Sequence, residues 1–146
     1  VLGARMVTCW GDEGLAKAAE DILAKVDAVL PAPLKKSLHT TSLYAPAFAS
    51  PALGTEYMAQ LRKAVRVKRK VRLLYTDGQG EATKRIIRPL GLAVFAPRWL
   101  LTAWCELRHG FRNFRLDRIQ SLEMLEESFA DEPGKTFNDF LKLVTQ

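Results

Sequence analysis

Between Lys70 and Ile119 the chain reads, at its densest, Arg98-Trp99-Leu100-Leu101 and then Arg112-Asn113-Phe114-Arg115-Leu116-Asp117-Arg118-Ile119. Apolar residues alternate with arginines here, and a strand sends alternate side chains to opposite faces, so the expected product is a small sheet with one oily and one basic face. The same period of two extends upstream. Val71, Leu73 and Tyr75 fall on one side of a strand and Arg72, Leu74 and Thr76 on the other. Asp77-Gly78-Gln79-Gly80 has turn chemistry. From Ala82 to Arg88, Thr83, Arg85 and Ile87 alternate with Lys84, Ile86 and Arg88, and Pro89 is expected to stop this strand. A third strand is expected over Leu92 to Phe95, with a turn at Ala96-Pro97-Arg98, and a fourth over Trp99 to Glu106. After a turn at His109-Gly110, a fifth is expected over Phe111 to Leu116 and a last over Gln120 to Leu125. No connection is long enough for a parallel crossover, so these strands predict a strongly bent antiparallel sheet or barrel.

Outward from this region the pattern becomes helical. Asp12 is placed to cap a helix reaching Leu30, with Leu15, Ala18, Ala19, Ile22, Leu23 and Val26 on one stripe, and Pro31 and Pro33 end it. Such a helix needs a partner surface, in this chain or in a second copy. Val1 to Gly11 is apolar but too irregular to assign. His39 to Pro51 is linker-like, although Leu43, Tyr44 and Phe48 suggest a segment lying along a surface. Thr55 is expected to cap a second helix with Tyr57, Met58, Leu61 and Val65 buried. Past the strands, Glu126 to Gly134 is acidic and turn-rich, and Phe137 to Val144 reads as a short helix with Phe137, Phe140, Leu141 and Val144 on one face.

A chain of 146 residues with 48% hydrophobic content suits one domain with helical attachments and can bury roughly two-thirds of its unfolded surface. Its net charge of +6 is unevenly spread. Gln60 to Arg118 holds 15 Lys or Arg against 4 Asp or Glu, and the remainder holds 7 against 12. A basic region of this kind attracts polyanions, nucleic acid first, and is equally compatible with a solvated face. Two distant cysteines, Cys9 and Cys105, make neither a disulfide scaffold nor a metal site, and a reducing, cytoplasmic setting is expected. No apolar run approaches the roughly 20 residues of a membrane span.

No constellation in the sequence carries catalysis. His39 and His109 are isolated, no paired-cysteine or zinc-type motif occurs, and Gly78-Gln79-Gly80 precedes a strand and lacks the lysine of a phosphate loop. Neither metal nor cofactor is expected. The eleven residues Arg62 to Arg72 include seven basic ones, a density that serves solubility as readily as binding. More informative are Tyr75, Arg85, Trp99, Arg112, Arg115 and Arg118, which come from different strands of one small sheet. Arginine offers a planar fork to phosphate or carboxylate, and Tyr or Trp a stacking face. Each aromatic also suits a core position, and Asp117 offers Arg115 or Arg118 a purely structural partner.

Ala64 to Tyr75, Arg85-Ile86-Ile87-Arg88-Pro89-Leu90-Gly91-Leu92, Trp99-Leu100-Leu101 and the closing Arg112 to Ile119 block resemble, in order and spacing, the blocks of a WYL domain over about residues 62–128. Leu100 stands where the family's naming tripeptide has tyrosine. The resemblance implies an α+β fold built on a small Sm-like, SH3-type antiparallel β-barrel. It also implies a ligand-sensing role beside a helix-turn-helix domain in YafY-like bacterial transcriptional regulators, with single-stranded DNA or other nucleotide ligands among the effectors. Carried over by position, the ligand-binding candidates are Tyr75, Arg85, Trp99, Arg112, Arg115 and Arg118. The implied organisation is a helical connector over 1–61, the WYL domain over 62–128 and a tail over 129–146 leading to a further domain. Duplex DNA would be reached through a helix-turn-helix not found in these 146 residues, and a homodimer is expected. The competing reading is a structural, dimerising module with no ligand of its own.

Overall fold

The computed structural model describes residues 2–35, 54–95 and 98–145 and divides into two compact units, Val1–Ala52 and Leu53–Gln146. The passage His39 to Pro51, including Leu43, Tyr44 and Phe48, and the turn residues Ala96 and Pro97 lie outside the described residues.

In the first unit, helices α1 (Leu2–Trp10) and α2 (Glu13–Val29) pack as a hairpin. The unassigned N-terminal stretch is therefore helical. Asp12 caps α2 as expected: its Oδ1 accepts from the Leu15 N–H at 2.9 Å, and the residue is buried. Gly11 is required by the tight corner, because a Cβ there would lie 2.7 Å from the Val7 carbonyl oxygen. Leu30, ahead of Pro31, is extended, as the proline ring demands of its neighbour.

The second unit opens with a 3-10 turn, Thr55–Tyr57, that runs into helix α3 (Met58–Val67). Thr55 makes no side-chain cap. The chain enters instead at Gly54, whose φ of 86° and whose approach to Asp117 N, 2.3 Å from where a Cβ would sit, leave room only for glycine. Met58, Leu61 and Ala64 form the fully buried stripe of α3, which lies against the sheet. Lys68, at φ 51°, ends the helix and turns the chain into β1.

Five strands follow: β1 (Arg69–Thr76), β2 (Ala82–Phe95), β3 (Arg98–Cys105), β4 (Gly110–Arg115) and β5 (Ile119–Ser128). All pair antiparallel, in the order β4-β3-β2-β1-β5. The register places Val71, Ile87 and Cys105 side by side, and Leu101 beside Phe114, so the apolar half of the period-two pattern becomes the core. Pro89 does not stop β2. A register shift between Pro89 and Gly91 absorbs the residue that lacks an N–H donor, and one long bulged strand replaces the two expected short ones.

The sheet does not close into the expected barrel. Its edges are β4 and β5, and the 3-10 turn Leu116–Arg118 that joins them carries no ladder hydrogen bonds from one edge to the other. The sheet is nonetheless strongly rolled. The Tyr75 ring of β1 meets the Phe114 ring of β4 edge-on at 5.1 Å, and the Arg115 N–H donates to Tyr75 Oη at 3.2 Å, although two strands separate β1 from β4 in the ladder.

The C-terminal helix α4 (Phe137–Val144) has the expected span and a capping box between Thr136 and Asp139. Its Phe137 ring occupies the space a Cβ at Gly91 would need, and Phe140 lies 5.7 Å from Phe111, which meets Trp104 edge-on. The tail is thus seated on strand residues of this unit.

Candidate functional site

The rolled sheet leaves a cleft of about 280 Å³ lined by Tyr75, Asp77, Thr83, Arg85, Cys105, Arg108, Arg112, Asn113 and Phe114. Strand register explains why these residues meet. Arg85 sits opposite Leu73 and Arg112 opposite Ala103, so both arginines belong to the face that carries the core and emerge where the core runs out. Thr83 positions Arg85: Arg85 Nε donates to Thr83 Oγ1 at 3.2 Å, and that hydroxyl donates to the Tyr75 carbonyl at 3.4 Å. Arg112 is turned by a 2.8 Å hydrogen bond from Nη1 to the Phe111 carbonyl. Arg108 comes from the turn that His109, at φ 47°, makes possible.

Among the described residues no carboxylate lies within ion-pair distance of Arg85, Arg108 or Arg112. Asp77 is the one acid in the lining, and its Oδ1 is occupied by the N–H groups of Gln79 and Glu81, at 2.8 and 3.0 Å. Those backbone bonds, Glu81's first, hold its carboxyl below the usual range, with help from the charge of Arg118. The cleft is therefore cationic, with an aromatic wall.

The six expected residues separate into groups. Tyr75, Arg85 and Arg112 line the cleft together. Arg118 stands beside the hairpin turn, its Nη1 3.5 Å from where a Cβ on Gly78 would be. Arg115 is engaged elsewhere: its Nε and Nη2 donate to the two oxygens of Asp117 at 3.0 and 2.6 Å, a pairing that raises the arginine's pKa and lowers the acid's. Trp99 is half-buried at the far end of β3, opposite Val94, and is not part of the lining. Arg108 and Asn113 were not among the expected residues. Arg108 sits in a turn, outside the alternation that singled out the others.

The basic run that ends α3 and opens β1 has a different fate. Lys68 pairs with Asp131, Arg72 with Glu123, and Lys70 bridges Glu106 at 3.0 Å and Glu127 at 2.5 Å. Arg88 joins Glu106, at 2.8 Å, to Glu132, which also holds Lys135. Burial raises the Glu106 carboxyl, but hydrogen bonds from Arg88 and then Lys70 outweigh it and leave the group below its ordinary value.

Residues 56–124 match the model of the WYL domain. They form a WYL domain. Similar proteins include YobV of Bacillus subtilis, an uncharacterized helix-turn-helix-type transcriptional regulator, 38% identical over 55 residues that make up 38% of this chain and 18% of that protein. Another is the DNA-binding transcriptional repressor CapW of Escherichia coli, 30% identical over 96 residues, 63% of this chain and 31% of the repressor. The chain thus spans less than a third of the curated relatives it matches, and those relatives are transcriptional regulators. Among solved structures, proteasome accessory factor B/C (PafBC) of Arthrobacter aurescens superposes with a TM-score of 0.50 at 36% identity over 53% of this chain and 12% of that one. The match ends at residue 124, and α4 follows the WYL segment. No helix among the described residues is long and apolar enough to cross a membrane.

Proposed function

We propose that this chain is the effector-sensing part of a bacterial transcriptional regulator, and that the cleft beside Tyr75 binds an anionic, nucleotide-like effector, single-stranded nucleic acid included. The observation that carries the reading is selective pairing. Lys70, Arg88 and Arg115 are each bonded to carboxylates, whereas Arg85, Arg108 and Arg112 converge on one cleft with no such partner among the described residues. Arginine forks held this way favour phosphate or carboxylate, and the cleft walls strengthen the attraction by limiting water. Effector binding would favour one conformation or dimer arrangement and so bias a helix-turn-helix domain acting on duplex DNA, in keeping with the names of the relatives. In this reading residues 1–61 connect the sensor to that domain, in a cytoplasmic homodimer. The roll that brings Tyr75 to β4 also supports viewing the sheet as an Sm-like barrel left open between its edges.

The test is titration of a labelled single-stranded oligonucleotide at two salt concentrations against wild type, Arg112→Ala and Arg85→Ala. Each variant is expected to bind roughly tenfold more weakly, with a shallower salt dependence, as loss of one phosphate contact requires. Equal binding by all three proteins overturns the assignment of the cleft.

A further inference from the structure

The ladder between β2 and β3 stops short. It ends where Cys105 faces Ile87, and only a hydrogen bond from the Glu106 N–H to the Ile86 carbonyl, 3.1 Å, continues it before residues 106–109 turn the chain into β4. In an antiparallel strand the N–H and C=O of one residue point to the same side, and the side alternates along the chain. Lys84 and Ala82 therefore direct theirs as Ile86 does, away from β1. Neither has a backbone partner on that side among the described residues.

Two depressions flank this bare strip, on opposite faces of β2. On the face of Thr83 and Arg85 lies the arginine cleft. On the face of Lys84 and Ile86 lies a depression of about 430 Å³, lined by Arg72, Lys84, Arg85, Ile86, Glu106 and Leu107. Ile86 and Leu107 are 37% and 63% exposed there, and the one acid, Glu106, is bonded to Lys70 and Arg88. Arg85 lines both depressions because no neighbouring strand separates the two faces at this point. A small rigid molecule fills one depression or the other. An extended peptide laid along the strip reaches both, since its side chains alternate as those of β2 do. The residue opposite Lys84 places its side chain beside Ile86 and Leu107, and its two neighbours, opposite Thr83 and Arg85, place theirs toward the cleft. The first position calls for an aliphatic residue, and Arg85, Arg108 and Arg112 call for carboxylates at the other two. The strip spans only Ala82 to Arg85 and bears a lysine, features that deter pairing with a whole sheet and leave room for a short segment.

We propose that the strip from Ala82 to Arg85 is a docking edge for an extended segment of a partner protein, in which an aliphatic residue stands between two acidic ones and the backbone pairs with Lys84. This goes beyond the effector reading: the arginine cleft serves here only to receive carboxylates, and the backbone strip and the apolar depression have no part in that reading. The probe is a fluorescein-labelled peptide with Glu-Leu-Glu at its centre and glycine and serine on either side, titrated with the whole chain and followed by fluorescence anisotropy. Methylating the leucine nitrogen removes its hydrogen bond to the Lys84 carbonyl without altering charge, and is expected to weaken binding roughly tenfold. Leu107→Ser is expected to weaken it roughly three- to tenfold, as is serine in place of the peptide's leucine. Leu107 is exposed, so its replacement leaves the core untouched. Arg112→Ala is expected to weaken it to a similar degree. If the methylated and parent peptides bind equally, or Leu107→Ser is without effect, while Arg112→Ala weakens both, the contact is one of charge with the arginine cleft alone and the docking edge falls. Absence of binding by the parent peptide overturns the inference outright, and the oligonucleotide titration, a separate measurement, decides the effector reading on its own.

Discussion

The sheet and its turns carry two sets of basic residues that the sequence scarcely distinguishes, and the structure treats them oppositely. Lys70 and Arg88 have side chains only 13% and 12% exposed, yet they share Glu106 and reach Glu127 and Glu132. Arg85, Arg108 and Arg112 line a cleft whose single acid is already bonded to backbone N–H groups. The first set joins the acidic C-terminal segment to the sheet. The second set offers its charge outward. Density of basic residues therefore says little about binding; what matters is whether the fold brings a carboxylate to each one.

Glu106→Gln gives the largest expected effect on this contrast. It deprives two poorly exposed cations of their common partner, and although Lys70 retains Glu127 and Arg88 retains Glu132, a loss of about 1–3 kcal/mol is expected. Denaturant unfolding measures it. Arg112→Ala, in the cleft, is expected to change the unfolding free energy by no more than about 0.5 kcal/mol while weakening anion binding, as suits an exposed side chain. Equal destabilisation by the two variants would break the distinction between the two sets.

Acid gives the next effect. Hydrogen bonds from Lys135 and then Arg88 lower Glu132 from its ordinary 4.5 to about 2. A carboxyl depressed in the folded state contributes stability that is fully present above its unfolded pKa and is lost as pH falls through the folded one, so the window runs from about pH 4.5 down to about 2. The Trp104 ring carries Lys135 at 5.5 Å and packs on Phe111, so its fluorescence reports the tail. The wild-type signal is expected to change across that window, and Glu132→Gln to flatten the change. A pH-independent signal from pH 5 to 2 would show that these pairs do not hold the tail.

Much of this architecture is written in local pattern. The period of two located β1, β3, β4 and β5 to within a few residues, Asp77-Gly78-Gln79-Gly80 is the turn, and Phe137–Val144 is the tail helix. What escaped depends on distant partners or on weak local signals. Pro89 reads as a stop because a bulge that accommodates it is fixed by the neighbouring strand, not by β2 itself. Gly91 gives no hint that Phe137, 46 positions on, needs its missing Cβ. Within the cleft, Tyr75, Arg85 and Arg112 were legible because alternation places them, whereas Arg108 depends on a turn whose path no periodicity describes. Arg115 was legible as a candidate, and its bond to Asp117 was open from the spacing, but only the 3-10 turn that follows sets the two face to face.

Arg115 provides the smallest and sharpest test, because it stands between the two sets. Its backbone N–H touches the Tyr75 hydroxyl of the cleft wall, while its guanidinium is held by Asp117 through two hydrogen bonds. Asp117→Asn removes the charge and replaces one acceptor oxygen with a donor, so the fork keeps at most one of its two bonds. If a carboxylate partner is what separates structural from receptive arginines, this exchange moves Arg115 from the first class to the second. Anion affinity is then expected to rise about threefold, less than a full contact because the released side chain must be ordered again on binding. The salt dependence is expected to steepen in step. Arg115→Ala made in the Asp117→Asn background returns affinity to the wild-type value if the gain belongs to Arg115, and leaves it raised if removing a negative charge near the cleft is the whole effect.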